Sequence, residues 1–511
     1  MIAAFGYNVK KNMHDIPLLS RRAFGRLAFG AAVASAARPL TALAGDAGAC
    51  RLRIGVLSDI HLTEAKCARH FRKALKWFDA RKADGVIIAG DLGYNGLIRE
   101  MKVVADVWRE VFPNDVRSDG GHVEKLFITG NHDVDGYFYH QKDFPKVRFP
   151  VDPETAKDSF VFNRRRVWKE LFGEEYETVK VKEVKGYKFV LFQWYPRLAA
   201  DVCSARWIAP PPDEPVYNDL RYESSRLDAF FAAHGEELRG ERPFFFIQHN
   251  HPGDTLYSPY VYGSPEGWGE HDCGASTRFL KDYPNCVCFS GHSHTSPVFE
   301  QSIWQGAFTS VETSACPGWA MAGAAGNGRA NCSWGDKAAE GTQFDCETPK
   351  VGQLMCVYDD RIVIENREFS TDEALTDPRE FPWPISRGRP YAYEPRRAAA
   401  VPPEFPADAK LVRTEDDRRI TLAFPTVRRE NAGRRAIDYE VTCVGRWTGI
   451  ERIVEQRRVY SQGMALPESH DRGPVTVVFS REELAKTGAQ SFRFEVRPCD
   501  SWDKKGRAIC A

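Results

Sequence analysis

The chain has 511 residues, room for two domains, and its 70 basic residues are matched by 70 acidic ones. That balance excludes the basic surplus of a nucleic-acid footprint, so no nucleic-acid polymer is expected as a partner. Its 13 cysteines, an odd count, leave at least one thiol unpaired, and the absence of any Cys-x-x-Cys argues against a thiolate zinc site or a thioredoxin-like function.

The first element reads as a leader. Ser20-Arg21-Arg22-Ala23-Phe24-Gly25-Arg26 resembles the twin-arginine export motif, a weakly apolar stretch follows from Leu27 to Ala37, and Ala42-Leu43-Ala44 offers a small-x-small cleavage site. The stretch is too short and too rich in Gly and Ala for a permanent membrane span. The expectation is a signal peptide over 1–44, a precursor that meets the twin-arginine export machinery, and a periplasmic or extracellular mature protein.

Five short apolar runs, rich in β-branched and aromatic residues, come next: 52–58, 86–89, 126–129, 244–248 and 286–290. Such runs suit strands buried on both faces. Helices are expected between them over 64–81, with Phe71, Leu75 and Phe78 on one face, over 97–112, with Met101, Ala105 and Trp108 on one face, and over 224–238. A hairpin is expected over 178–194, turning at Lys185-Gly186. Strands at 303–314 and 354–369 would close the second sheet. Strands alternating with helices imply a layered α/β core. Residues 134–177, 253–284 and 316–350 read as insertions rimming the site, the second containing His271 and Asp272. The arginine runs 164–166 and 428–429 read as solvated faces. Among the cysteines, Cys286 and Cys288 read as small buried strand residues, and Cys499 and Cys510 could close the C-terminus.

Residues 377–406 carry eight prolines from Pro378 to Pro406 and read as a stiff surface linker. Beyond it, Arg419 to Phe424, Ala436 to Val444, Val475 to Phe479 and Ser491 to Pro498 alternate as short strands do in a β-sandwich. The ending, Phe492 to Arg497 followed by Trp502 and Gly506, resembles the last strands of a fibronectin type III-like domain.

Each of the five apolar runs ends in a polar cluster, where open α/β sheets place their sites. The clusters are Asp59-Ile60-His61, Gly90-Asp91-Leu92-Gly93, Gly130-Asn131-His132-Asp133, His249-Asn250-His251-Pro252 and Gly291-His292-Ser293-His294. Together they offer carboxylates, an amide and imidazoles, an O/N donor set without thiolates that suits Zn, Fe or Mn, and there are donors enough for two ions.

These blocks, in this order, resemble the calcineurin-like metallophosphoesterases, a superfamily that includes the purple acid phosphatases. The resemblance covers roughly 50–370. It implies that Asp59, His61 and His294 hold one metal, that Asn131, His249 and His292 hold the other, and that Asp91 bridges them. It implies that His132 protonates or stabilises the leaving oxygen, oriented by Asp133. Two ions, divalent or of mixed valence, would neutralise the phosphoryl group, acidify an attacking water and clamp the oxygens in line. In the fourth block the family usually has one His, two before Pro; here His249 is three before Pro252 and His251 immediately before it. His249, which directly ends the strand, is favoured as ligand, leaving His251 to stand behind it or face the substrate. Tyr94 lies three after Asp91, where purple acid phosphatases carry a metal-binding tyrosinate. Those enzymes lack a His in the first block and this chain has His61, so Tyr94 reads as packing or substrate-facing. His271 is a further candidate to face the substrate.

The sequence therefore implies an αββα metallophosphoesterase sandwich over 50–372, a Pro-rich linker over 373–408 and an all-β domain over 409–511. The expected activity is hydrolysis of a small-molecule phosphate mono- or diester. The alternative is an inactive binding or adhesion protein on the same fold, which should have lost donors that this chain keeps.

Overall fold

The computed structural model describes residues 48–134, 157–194, 224–256, 276–314, 350–428, 435–461, 463, 466–467, 469 and 473–511. The proposed leader, His271 and most of the three insertions lie outside them. Residues 48–511 make up one compact unit.

The strands in chain order are β1 (Leu52–Leu57), β2 (Gly85–Ala89), β3 (Glu124–Ile128), β4 (Val179–Val184), β5 (Tyr187–Phe192), β6 (Phe244–Ile247), β7 (Cys286–Ser290), β8 (Ile303–Gln305), β9 (Thr309–Glu312), β10 (Val351–Val357), β11 (Arg361–Glu368), β12 (Glu373–Ala374) and β13 (Arg379–Pro382). The helices are α1 (Arg69–Ala80), α2 (Ile98–Val111), the single turn α3 (Asn131–Val134), α4 (Phe160–Phe172), α5 (Ser224–Leu238) and the short α6 (Thr277–Leu280). One sheet has the order β12-β11-β10-β1-β2-β3 with β13 also on β11; the other has the order β4-β5-β6-β7-β9-β8. β1, β2 and β3 are parallel, as are β5, β6, β7 and β9, so each sheet gathers its motif strands with their carboxyl ends together.

Three apolar layers hold this core. Ile54, Val56, Ile87 and Leu126 of the first sheet meet Phe189, Phe245, Ile247 and Phe289 of the second. Phe71, Leu75 and Phe78 of α1, Met101 and Trp108 of α2 and Phe160 and Trp168 of α4 cover the outer face of the first sheet. Leu227, Phe230 and Phe231 of α5 cover Phe244 and Phe246 on the outer face of the second. The result is the four-layer αββα arrangement of a metallophosphoesterase. Among the described residues no helix is long and apolar enough to cross a membrane.

Several expectations are corrected. The segment expected as one strand over 354–369 is a hairpin, β10 and β11, and it extends the first sheet: β10 runs antiparallel to β1, with Leu52 opposite Val357. The second sheet is completed by β8 and β9 alone, both from the segment 303–314 expected there. The insertion over 134–177 is not all rim, because α4 buries Phe160, Val167 and Trp168 in the core. Arg164 is not a solvated residue: it is 4% exposed, donates from Nη1 to the Val161 carbonyl (2.8 Å) and lies over the Tyr176 ring. Its planar cation can be buried because a carbonyl and an aromatic face receive it.

The proline-dense segment contributes structure as well as length. β13 pairs with β11, and a seventh helix, α7 (Tyr393–Ala399), follows. Beyond it lie β14 (Val412–Glu415), β15 (Arg419–Phe424), β16 (Asp438–Trp447), β17 (Ile450–Tyr460), β18 (Val475–Ser480), β19 (Ser491–Cys499) and β20 (Ile509–Cys510). They form a three-stranded sheet, β14-β15-β18, and a four-stranded one, β17-β16-β19-β20, sharing a core around Leu422, Phe424, Tyr439, Val441, Phe479 and Phe494. Cys499 and Cys510 are both free thiols: Cys510 stands opposite Glu495 on β20, so strand pairing, not a disulfide, ties the C-terminus down. This domain meets the α/β core directly. Gln301 Nε2 donates to the Ser501 carbonyl (2.6 Å), and the rings of Tyr393 and Trp502 lie edge to face.

Candidate metal centre

The five motifs converge between the carboxyl ends of the two sheets. Oxygen and nitrogen donors of Asp59, His61, Asp91 and His294 lie within 4.8 Å of one another, and so do those of Asp91, His249 and His292. Asp91 belongs to both groups. His294 Nε2 is 3.0 Å from Asp59 Oδ1 and 3.2 Å from His61 Nε2, and His61 Nε2 is 3.7 Å from Asp91 Oδ2. On the other side, His249 Nε2 is 3.3 Å from Asp91 Oδ2 and 3.0 Å from the Asn131 amide oxygen. Asn131 thus joins the second group as an oxygen donor.

Backbone shape puts these side chains there. Asp59 (φ 48°), His61 (44°), Asp91 (53°), His292 (68°) and His294 (55°) all adopt the left-handed region. Each turns the chain sharply at a strand end, and for a non-glycine residue such a conformation costs ~1–3 kcal/mol. Neighbouring glycines make room. A Cβ on Gly130 would sit 2.2 Å from Asp91 Oδ1, and one on Gly291 would sit 1.9 Å from Ser58 Oγ and 2.3 Å from Asp59 Oδ2.

The supporting contacts fix the donors' orientation. Ser58 Oγ donates to Asp59 Oδ2 (2.5 Å), and the His292 N–H donates to the same carboxylate (3.0 Å). His249 Nδ1 donates to the Ala89 carbonyl (2.8 Å), which leaves Nε2 as the nitrogen facing Asp91 and Asn131. Trp194, at the end of β5, lies against the rings of His249 and His292.

The electrostatics call for cations. Burial works against the Asp59 carboxylate, but His294 and His249 outweigh it and hold its pKa down to about 2. Burial would likewise neutralise His249, but Asp91 and Asp59 raise it to about 9. His292, half-buried and beside His249, is pushed down to about 3 by desolvation and by that neighbour. Two buried carboxylates thus attract positive charge into the pocket, and once His249 gives up its proton the remaining donors are neutral oxygen and nitrogen. This donor set fits two borderline ions.

His132 belongs to neither donor group. Its backbone N–H donates to Asp91 Oδ1 (2.7 Å), its Nδ1 donates to the Tyr94 carbonyl (2.8 Å), and its ring lies 4.7 Å from that of His61, centroid to centroid. The orientation expected from Asp133 falls to Tyr94. Asp133 is fully buried and its oxygens accept from the backbone N–H groups of Gly93 (2.7 Å), Gly130 (2.8 Å) and Leu92 (3.1 Å). It therefore ties the second motif to the third. His251 turns away from the donor groups: its Nδ1 is 2.9 Å from Ser290 Oγ and its Nε2 3.1 Å from Glu312 Oε2.

Three contributors escaped sequence reasoning. Glu312 ends β9, whose residues Thr309, Ser310 and Val311 form no apolar run that would single it out. Glu100, fully buried on α2, accepts from the N–H groups of Tyr94 (3.2 Å), Asn95 (2.8 Å) and Leu97 (3.3 Å), and so holds the loop after Asp91. The carbonyl of Tyr94 carries no signal in its side chain at all.

Residues 52–296 match the family model described as calcineurin-like phosphoesterase. Over these residues the chain is similar to a calcineurin-like phosphoesterase domain. Solved structures similar to it include a dimetal phosphatase from Danio rerio (11% identity, 66% of this chain and 100% of that one, TM-score 0.37). Others are GAP50, the anchor in the inner membrane complex of Plasmodium (9%, 65% and 89%, TM-score 0.35), and a predicted phosphoesterase from Streptococcus pneumoniae (12%, 65% and 97%, TM-score 0.25). No curated protein matches the chain. The buried Asp/His cluster fits the dinuclear metal site of such a metallophosphoesterase domain.

Proposed function

We propose that this protein is an exported, dinuclear metal-dependent hydrolase of small-molecule phosphate mono- or diesters. The observation that carries the proposal is the sharing of Asp91 between two donor groups, buried throughout except for the half-buried His292. Asp59, His61 and His294 would hold one ion, Asn131, His249 and His292 the other, with Asp91 between them. When bound, the two ions neutralise the phosphoryl charge and acidify the attacking water.

The chain's own residues do the rest. A carbonyl can only accept, so His132 Nδ1 carries a proton toward Tyr94, and the proton exchanged with a leaving oxygen is carried on Nε2. Tyr94 packs its ring on that imidazole and keeps it aimed. His249 is the fourth-motif ligand because its Nε2 faces Asp91, whereas His251 faces Glu312. Tyr94 stacks on His132, so any kinship with the purple acid phosphatases is one of superfamily and not of ligand set. The paired Arg21 and Arg22, ahead of a weakly apolar stretch, support export of the mature chain to the periplasm or beyond the cell.

The test is elemental analysis of the purified mature chain alongside hydrolysis of p-nitrophenyl phosphate and bis-p-nitrophenyl phosphate. The expected result is close to two ions drawn from Zn, Fe and Mn, one per donor group. Full activity in a preparation holding one ion or none would overturn the proposal.

A further inference from the structure

Behind the centre, on the side of the second sheet, lies a buried polar group that supplies no donor to either metal group. Glu312 is 1% exposed, and its β9 position is in register with Ser290 at the end of β7. Its Oε2 accepts from Ser293 Oγ (3.0 Å) and lies 3.1 Å from His251 Nε2; its Oε1 accepts from the Ser314 N–H (3.2 Å). The other ring nitrogen of His251 meets Ser290 Oγ at 2.9 Å, and Ser293 Oγ also meets Thr295 Oγ1 at 2.8 Å. From the opposite sheet, Gln353 Nε2 donates to the Glu312 carbonyl (2.9 Å).

The placement of these residues gives the network its meaning. His251 is two residues from His249, and Ser293 stands between His292 and His294. Glu312 therefore grips the fourth motif and the fifth from behind, one residue away from the two histidines of the fifth. A buried carboxylate is costly unless every oxygen is satisfied, and here both oxygens are used. If folding stability were its only purpose, apolar side chains of similar volume would serve as well.

We infer that Glu312, with His251 and Ser293, is a positioning strut that sets the orientation of the histidines at 249, 292 and 294 and thereby the affinity of the centre for its ions. The inference rests on the dinuclear reading. Loss of a group that orients ligands typically weakens metal binding about 10–100-fold. The experiment is calorimetric titration of the ion-free full chain with Zn²⁺, with thermal unfolding of the ion-free proteins in parallel, for wild type, Glu312→Ala, Glu312→Gln and Ser293→Ala.

Wild type should take up ions at both groups. Glu312→Ala and Ser293→Ala should each bind about 10–100-fold more weakly at one group or both. Glu312→Gln, which can still accept from Ser293, should recover most of the affinity. Should Glu312→Ala fail to fold, Ser293→Ala decides, since it removes a single hydroxyl. If wild type binds no Zn²⁺, the dinuclear reading itself fails. If wild type binds normally and the folded variants match it, with only their ion-free melting temperatures altered, Glu312 is a structural residue and the strut is refuted.

Discussion

The rings of Tyr94 and His132 are stacked 5.1 Å apart, 19° from parallel, while the carbonyl of the same tyrosine accepts from His132 Nδ1. One residue thus fixes both the plane and the tautomer of the proposed acid. Such double restraint matters because proton delivery requires a set direction as well as a suitable group.

His132→Ala should keep both metals, because His132 stands outside both donor groups, yet lose about 10²–10⁴ in kcat on substrates with poor leaving groups. The loss should shrink for p-nitrophenolate, which leaves without a proton. Metal analysis and kcat on an alkyl and a nitrophenyl phosphate check it; a variant that loses its ions would make His132 a ligand.

Glu100→Ala should unfold about 2–3 kcal/mol more easily, since it strands the N–H groups of Tyr94, Asn95 and Leu97. It should also lower kcat with little change in metal content, because the Tyr94 carbonyl moves with that loop. Urea titration and steady-state kinetics measure the two effects separately.

Gly291→Ala places a methyl group against Ser58 and Asp59. Overpacking of this kind costs about 1–3 kcal/mol, and here the nearest atoms belong to a proposed ligand and its hydrogen-bond donor. The variant should therefore show a reduced metal content as well as a lower denaturation midpoint. A fully loaded Gly291→Ala protein would contradict the placement of Asp59 in the centre.

Metal uptake should release a proton near neutral pH. In the ion-free protein the two carboxylates hold His249 at about 9, so its imidazole is protonated at pH 7 and must lose that proton to bind an ion. Apparent affinity should then climb about tenfold per pH unit from 7 towards 9 and level off above. Calorimetry in buffers of different ionisation enthalpy counts the protons; a pH-independent affinity would exclude this coupling.

Export is tested by Arg21→Lys together with Arg22→Lys, which should leave the precursor inside the cell. Normal accumulation of this double mutant outside the cytoplasm would rule out the twin-arginine route.

The motif strands were legible in the sequence because each is local: a short apolar run ending in a polar cluster, with a glycine ahead of the donor in three of the five. The hairpin at Lys185-Gly186 was legible for the same reason, and both residues indeed have positive φ. What was missed depends on contacts between distant segments. Nothing near residues 351–357 indicates that β10 will pair with β1 across the chain. Nothing in Glu100 or Glu312 distinguishes a buried carboxylate from the many exposed ones. Asp133 was assigned to its sequence neighbour, His132, although its partners include Leu92 and Gly93, 41 and 40 residues away.

The span of the centre has a kinetic consequence. Asp59 and His294, whose donor atoms meet at 3.0 Å, are separated by 235 residues and come from different sheets. Closing a loop of that length is slow and uncompensated until both sheets have formed and docked. A folding intermediate with only one sheet assembled holds only part of each donor group. The pair of ions should therefore bind last, as a marker of completed folding rather than as its nucleus.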